Sequence, residues 1–382
     1  MDCNTNETAA EFAWNDSQYR VNGSANVTLR NTGTAWLPPA LIMAMRKGLD
    51  LRVDSAVDES TLQGAETAQN TLHEWWPNTM RKVNLVADST QDKGHGERGV
   101  GCFFSGGLDS FYSAVKHQPD ITHLIFVHGF DIFLNSHSRR HYEKSLEGVR
   151  EAAAEMGKHL IEYQTNIRRM FEMNGGWDVG FGLAHVALSL ADHLHTVYIP
   201  AGRTEGNLAP RGTHPDLDPL WSSSNVQLIH DGLEADRVAK AATAKESPAA
   251  MQHLRVCFWN RSDALNCGEC EKCVRTAINM RIVGAADKCR ALPPIDAAKA
   301  LSKIPTDNPS AVYFLRDNLR ALQNSDRDDP ELESALESAL HRSALQKATA
   351  RSWYIFTVVK VLGLTLREKA YQAIIARRGD TD

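Results

Sequence analysis

The sequence predicts an α/β fold: a doubly wound parallel sheet with a zinc knuckle, an N-terminal α+β unit before it and a helical extension after it. Three observations carry that expectation. From Gly99 onward, apolar strands alternate with amphipathic helices, the pattern of a parallel sheet covered by helices on its faces. The first of these strands, Val100–Phe104, runs straight into Ser105-Gly106-Gly107-Leu108-Asp109-Ser110, and a helical pattern of Leu108, Phe111, Tyr112 and Val115 follows. Five of the seven cysteines (Cys257, Cys267, Cys270, Cys273 and Cys289) fall within one stretch of 33 residues.

At 382 residues the chain suits a main domain with additions, with boundaries expected at 1–98, 99–292 and 293–382. In the first unit, Gln18 to Arg30 alternates polar and apolar residues and reads as a hairpin turning at Asn22-Gly23. Pro38-Pro39 opens a helix over Ala40 to Lys47 that Gly48 stops. Leu51 to Val53 is a short strand, Ser60 to Trp76 a helix and Val83 to Val86 a strand. The Trp75-Trp76 pair reads as core, and Asp88 to Arg98 as a polar linker.

In the middle unit, strands are expected at Thr122–His128, His159–Thr165, Thr196–Pro200 and Val226–Ile229, and helices at Ser138–Met156, Val179–His193 and Gly232–Ala244. Ligands of such sheets gather at the carboxyl ends of strands. That nominates Ser105–Ser110, then His128, Gly129 and Asp131 for a base or ribose, Arg168 or Arg169 for phosphate, and Arg203 after the next strand. The loop from Leu208 to Trp221 holds three prolines and an acid/base cluster of His214, Asp216 and Asp218. It reads either as a substrate loop or as a self-capping turn.

The strongest signal is Ser105–Ser110. Two glycines let the backbone turn sharply and bring N–H groups close to an anion at a helix start. Two serine hydroxyls add donors, and Asp109 can hold a divalent cation riding on phosphates. No Gly-Lys-Ser/Thr follows the glycines, so this is not a Walker loop. The second signal is Cys257, then nine residues, then Cys267-Gly-Glu-Cys270-Glu-Lys-Cys273. Four thiolates at such spacing suit one tetrahedral Zn²⁺, with Cys270 and Cys273 at the N-terminus of a helix over Val274–Ile282. An iron–sulfur cluster on three of them is the competing reading, and Cys289 is a spare.

Ser105 to Ser110 resembles the pyrophosphate loop of the PP-loop ATP pyrophosphatase superfamily. The resemblance implies an adenine nucleotide alpha hydrolase-like, Rossmann-like fold. It also implies that ATP with Mg²⁺ is gripped by its β,γ-phosphates while a substrate oxygen attacks the α-phosphorus. The cysteine cluster, and His214-Pro-Asp216 in the expected order, are similar to the 7-cyano-7-deazaguanine synthase branch. This implies an ATP-dependent ligase that adenylates a small-molecule or peptide carboxylate and passes it to ammonia or an amine, giving an amide or nitrile. Asp109, Ser110 and Lys240 would then be catalytic. Ser105, Gly106, Gly107, Leu108, His128 and Gly129 would bind the nucleotide, and Arg203, His214, Asp216 and Asp218 the acceptor. No glutaminase sequence is recognised, so the nitrogen would arrive free or from a partner protein. The alternatives are a tRNA sulfur transferase of the same superfamily and a non-catalytic, zinc-stabilised nucleotide-binding module.

A net charge of −5 weighs against a nucleic-acid partner. Hydrophobic content of 42% with 23% charged residues is that of a globular chain. The first residues are polar and acidic, unlike a signal peptide, and the apolar stretch from Trp353 to Leu364 is too short for a bilayer. A cytoplasmic protein without a membrane partner is expected. The extension predicts helices at Ala297–Ile304, Ser310–Gln323, Pro330–Ser343 and Trp353–Arg377, packing on the core or joining a homo-oligomer.

Overall fold

The computed structural model describes residues 5–14, 17–91, 94, 96–135, 138–173, 178–257, 264–306, 309–353 and 355–356. The chain forms two compact units. The first takes in Met1–Ser105, Asp109–Leu134 and Val149–Glu234, and the second Gly106–Leu108, Asn135–Gly148 and Ala235–Asp382.

Nine strands are described: β1 (Thr5–Trp14), β2 (Ser17–Leu29), β3 (Leu51–Asp58), β4 (Leu85–Thr90), β5 (Gly99–Phe103), β6 (His123–His128), β7 (His159–Thr165), β8 (Leu194–Pro200) and β9 (Gln227–Asp231). Seven of them form one sheet in the order β1-β2-β7-β6-β5-β8-β9, while β3 and β4 form a separate parallel pair. The run β7-β6-β5-β8-β9 is parallel throughout, and β1 and β2 add an antiparallel edge. The chain order reverses at β5, with β6 and β7 on one side and β8 and β9 on the other. In a sheet of this kind the carboxyl end of that strand opens onto a crevice.

Asn22-Gly23 does not turn the chain. It lies inside β2, which pairs with β1 from Trp14↔Ser17 outward and with β7 at Gly23↔Thr165. A Cβ on Gly23 would stand 2.3 Å from the Tyr163 hydroxyl and 2.7 Å from Thr8 Oγ1. Crowding between strands, not a reversal, requires the glycine.

Helix α1 (Gly33–Lys47) starts before the two prolines rather than at them, because Thr32 caps it by accepting the Ala35 N–H at 3.4 Å. Pro39 cannot donate to the Ala35 carbonyl one turn back. The buried His185 takes that carbonyl instead, through Nδ1–H at 3.0 Å, and its ring lies tilted against Trp36 with ring centres 3.9 Å apart. His185 belongs to α6 (Val179–Ser189), a helix buried on nearly every face. The other helices before β8 are α2 (Glu59–Trp75), α3 (Leu108–Lys116), α4 (Arg139–Glu155) and α5 (Ile167–Met173). Trp75 and Trp76 pack against the core in an edge contact of 5.7 Å.

The second unit carries α7 (Arg237–Ala244), α8 (Pro248–His253), α9 (Glu271–Ile282), α10 (Ala297–Ser302), α11 (Pro309–Gln323) and α12 (Pro330–Leu340). Helix α7 begins later than expected because Asp236 caps it, accepting the N–H groups of Val238 and Ala239 at 2.9 and 2.8 Å. Val238, Ile278, Leu301, Leu315 and Leu336 share one apolar cluster. Two polar clasps add to it: Asn279 Nδ2 to Asn318 Oδ1 at 2.7 Å, and Arg281 to Asp329 at 2.6 Å. Past residue 356 the expected helix from Trp353 to Arg377 lies outside the described residues, and so does Tyr354. No helix among the described residues is long and apolar enough to cross a membrane.

Candidate functional site

The loop Ser105–Ser110 follows β5, the reversal strand, and leads into the first turn of α3. Gly106 has φ 75°, a left-handed conformation that side chains disfavour. Phe104 extends the β5–β6 ladder through its N–H to Ile125 at 2.7 Å. Its ring meets Phe111 edge-on at 4.8 Å, which fixes the start of α3 against the strand end. Leu108 and Ser110 are buried, while Ser105, Gly107 and Asp109 are half-buried. A Cβ on Gly202, just after β8, would lie 4.0 Å from Asp109 Oδ2. The acid is thus directed toward the neighbouring strand end, with no side chain at Gly202 to intervene.

The other nominated strand ends are built differently. His128 is buried, and its Nδ1 lies 3.1 Å from Gln164 Oε1. Burial holds its imidazole below the usual pKa, so the ring is neutral. Gly129 has φ 106°, and a Cβ there would run into the Thr165 carbonyl at 2.0 Å. The glycine lets this loop lie against the end of β7. Arg168 is engaged with Glu172 at 2.7 Å and with the Phe130 carbonyl, and its guanidinium lies over Phe133. Lys240 is 1% exposed on α7, which packs on α9 and α11 in the second unit.

The loop after β8 is bonded to itself. Arg203 donates to the Asn207 carbonyl and to its side-chain oxygen, both at 3.1 Å. The Asp216 N–H donates to His214 Nδ1 at 3.1 Å, so the proton of this imidazole sits on Nε2. Burial lowers the His214 pKa, and its ring meets Trp75 edge-on at 4.7 Å. The Asp216 side chain is exposed. Asp218 is fully buried and its Oδ2 accepts from Thr213 Oγ1 at 2.8 Å and from His230 Nδ1 at 2.6 Å. Of the three nominated residues, then, one faces solvent and two are packed inside. His230 was not nominated. The only signal for it is its place two residues after Leu228 on a short apolar strand.

A second cluster also escapes sequence reasoning. Asp231, at the end of β9, accepts from Ser113 Oγ at 2.6 Å and Lys116 Nζ at 2.8 Å, and lies 2.9 Å from His117 Nε2. Lys116 also reaches Glu234 at 2.6 Å, as does the Tyr112 hydroxyl. Burial alone would raise the Asp231 pKa, but the bonds from Lys116, Ser113 and His117 outweigh it and hold the carboxyl below its usual value. Burial opposes the Lys116 charge, yet its two acidic partners raise its pKa above the usual lysine value. Ser113 and Lys116 lie on α3 and His117 just past its end, at i, i+3 and i+4, which the sequence could have shown. Their acceptor is more than a hundred residues away, and nothing local points to it.

Cys257, Cys267, Cys270 and Cys273 do converge, and their four sulfurs lie within 4.8 Å of one another. The Cys257–Cys270 and Cys267–Cys273 sulfur pairs are each 3.9 Å apart. A tetrahedron of thiolates about 2.3 Å from one Zn²⁺ has edges of about 3.8 Å, so the donor set fits a single ion. Backbone N–H groups of Glu269 and Cys270 point at Cys267 Sγ at 3.4 and 3.3 Å, and that of Cys273 at Cys270 Sγ at 3.4 Å. Cys270 is also the N-cap of α9. Contacts with the other sulfurs pull the Cys257 thiol far below its usual pKa and push those of Cys270 and Cys273 above it. Four sulfurs packed this closely could hold a metal ion such as zinc.

No protein-family model, curated protein or solved structure matches the chain.

Proposed function

We propose that the protein is an ATP-dependent ligase of the PP-loop ATP pyrophosphatase superfamily, with the 7-cyano-7-deazaguanine synthases as its nearest likeness. In this reading the doubly wound, Rossmann-like sheet presents the Ser105–Ser110 loop to the β,γ-phosphates of ATP. A carboxylate oxygen attacks the α-phosphorus and pyrophosphate leaves. The lone pair of ammonia or an amine then attacks the acyl carbon of the adenylate and AMP leaves, giving an amide or, after dehydration, a nitrile. The observation that carries the reading is the position of the loop: at the carboxyl end of the reversal strand, with Gly106 left-handed and the Asp109 carboxylate directed at the next strand end.

Each group has a stated role. The loop N–H groups and the Ser105 and Ser110 hydroxyls hold phosphate oxygens. Asp109 would hold Mg²⁺, which when bound neutralises charge on the departing pyrophosphate. His128, neutral and fixed by Gln164, faces the adenosine half, and the exposed Asp216 faces the acceptor. The cysteine cluster holds one zinc as a structural ion rather than an iron–sulfur cluster, and the protein acts in the cytoplasm.

The test is the pattern of ATP cleavage. Incubation with MgATP, ammonium and a panel of carboxylic acids should release AMP and pyrophosphate, with a product shifted in mass. Release of ADP and orthophosphate overturns the adenylation mechanism. Tight ATP binding without turnover on any acid would favour the nucleotide-binding module.

A further inference from the structure

Asn266 is buried at 3% exposure and uses both ends of its amide. Its Oδ1 accepts from the N–H groups of Val256 at 2.8 Å and Cys257 at 3.2 Å. Its Nδ2 donates to the carbonyls of Leu254 and Ala291, both at 2.7 Å. One side chain therefore satisfies four backbone groups around the segment that brings the first cysteine to the cluster, and Asn266 itself precedes the second. Between Leu254 and Val256 sits Arg255, whose N–H donates at 2.7 Å to the carbonyl of Gly106. Leu254, Arg255, Asn266, the cysteines and Gly106 all belong to the second compact unit.

The consequence follows from the planarity of the peptide. In a trans peptide the carbonyl of one residue and the N–H of the next point in opposite directions. Pinning the Gly106 carbonyl toward Arg255 therefore aims the Gly107 N–H the opposite way. Gly106 is in the left-handed region, where a glycine peptide reorients readily unless something holds it. We infer that Asn266 is a positioning residue that couples the cysteine cluster to the glycine loop: metal at the four sulfurs, acting through Asn266 and the Arg255 N–H, holds the Gly106–Gly107 peptide in one orientation. Its consequence for nucleotide binding rests on reading Ser105–Ser110 as a phosphate loop. The coupling itself does not.

The experiment uses the full chain and two readouts. Hydrogen exchange is followed by mass spectrometry on the segment 104–110, with bound zinc counted in parallel, and MgATP affinity is measured by calorimetry. Stripping the metal with a chelator should speed exchange in 104–110 about tenfold or more and weaken MgATP by a similar factor. Asn266→Ala should do the same at undiminished zinc content. Arg255→Pro removes the one N–H and should reproduce the effect, whereas Arg255→Ala, which keeps it, should fall short of it. This pair carries the test if Asn266→Ala fails to fold. Wild-type exchange rates in 104–110 for both the stripped protein and Arg255→Pro overturn the coupling, whatever the ATP result. Faster exchange in a protein that never binds MgATP leaves the coupling standing and overturns the ligase reading instead.

Discussion

The Asp218 carboxylate receives the His230 Nδ1–H at 2.6 Å and is wholly removed from solvent. The bond joins the proline-rich loop to the end of β9, and Thr213 Oγ1 donates to the same oxygen. Asp218 is a pin for the loop, while Asp216 stands outside it with its side chain two-thirds exposed.

Asp218→Ala should therefore cost about 2–4 kcal/mol of stability, because it strands a half-buried hydroxyl and a buried imidazole N–H. Asp216→Ala should stay within about 0.5 kcal/mol and leave ATP affinity unchanged while lowering product formation. Urea unfolding and ATP calorimetry on both variants check this. A matching loss of ATP affinity in Asp216→Ala would move the loop to the nucleotide site.

His185 should make the fold acid-sensitive. Burial lowers its pKa from 6.5 to about 4, against a weaker upward pull from the Ala35 carbonyl. The unfolded chain binds the proton first, so the stability this group contributes is complete above pH 6.5 and is lost as pH falls toward 4. Between pH 7 and pH 5 it should account for about 2 kcal/mol. His185→Gln should be weaker at pH 7 and should lack that portion of the decline. An identical decline in variant and wild type, in urea midpoints at the two pH values, would contradict the assignment.

Removing metal should melt the second unit's knuckle. Close to one zinc per chain is expected by elemental analysis, and chelation should lower the Tm, since binding energy at such a site is folding energy. Cys270→Ser keeps a capping side chain at the start of α9 but loses a metal ligand, and should be poorly soluble. A brown protein absorbing near about 400 nm would support an iron–sulfur cluster instead.

What could be read from the sequence was whatever repeats locally. The Ser105–Ser110 turn, the cysteine spacing and the alternation of strands and helices are local patterns, and β7 begins and ends at the residues its periodicity marks. The Asn22-Gly23 pair misled because the same dipeptide serves a turn and a crowded strand, and only the Tyr163 hydroxyl tells them apart. The Pro38-Pro39 pair misled because the carbonyl freed inside α1 is taken by a histidine 150 residues on. Asp231, His230 and Asn266 were invisible for the same reason. Each works through partners that the fold, not the chain, places beside it.

Asp109 and Asp231 should separate chemistry from support, and the contrast between them is the sharpest check on the site. Asp109 is half-buried in the first turn of α3, so Asp109→Asn keeps the shape of the turn and removes only the charge. Its Tm should hold within a degree or two while AMP release falls on the order of 10²-fold or more, through loss of the charge that holds the cation. Asp231 is 7% exposed and gathers Ser113 and Lys116 from α3 and His117 from just past it. Asp231→Asn should cost about 1–3 kcal/mol of stability, because Lys116 keeps only its more exposed partner Glu234. The folded Asp231 pKa lies below its unfolded value of 3.8, so its contribution is present above that pH and is lost only as pH falls through the folded value. Wild type and Asp231→Asn should then converge in stability in strong acid and diverge above pH 4, whereas Asp109→Asn should track wild type throughout. A loss of stability in Asp109→Asn equal to that of Asp231→Asn would make the loop acid a structural group and remove it from the mechanism.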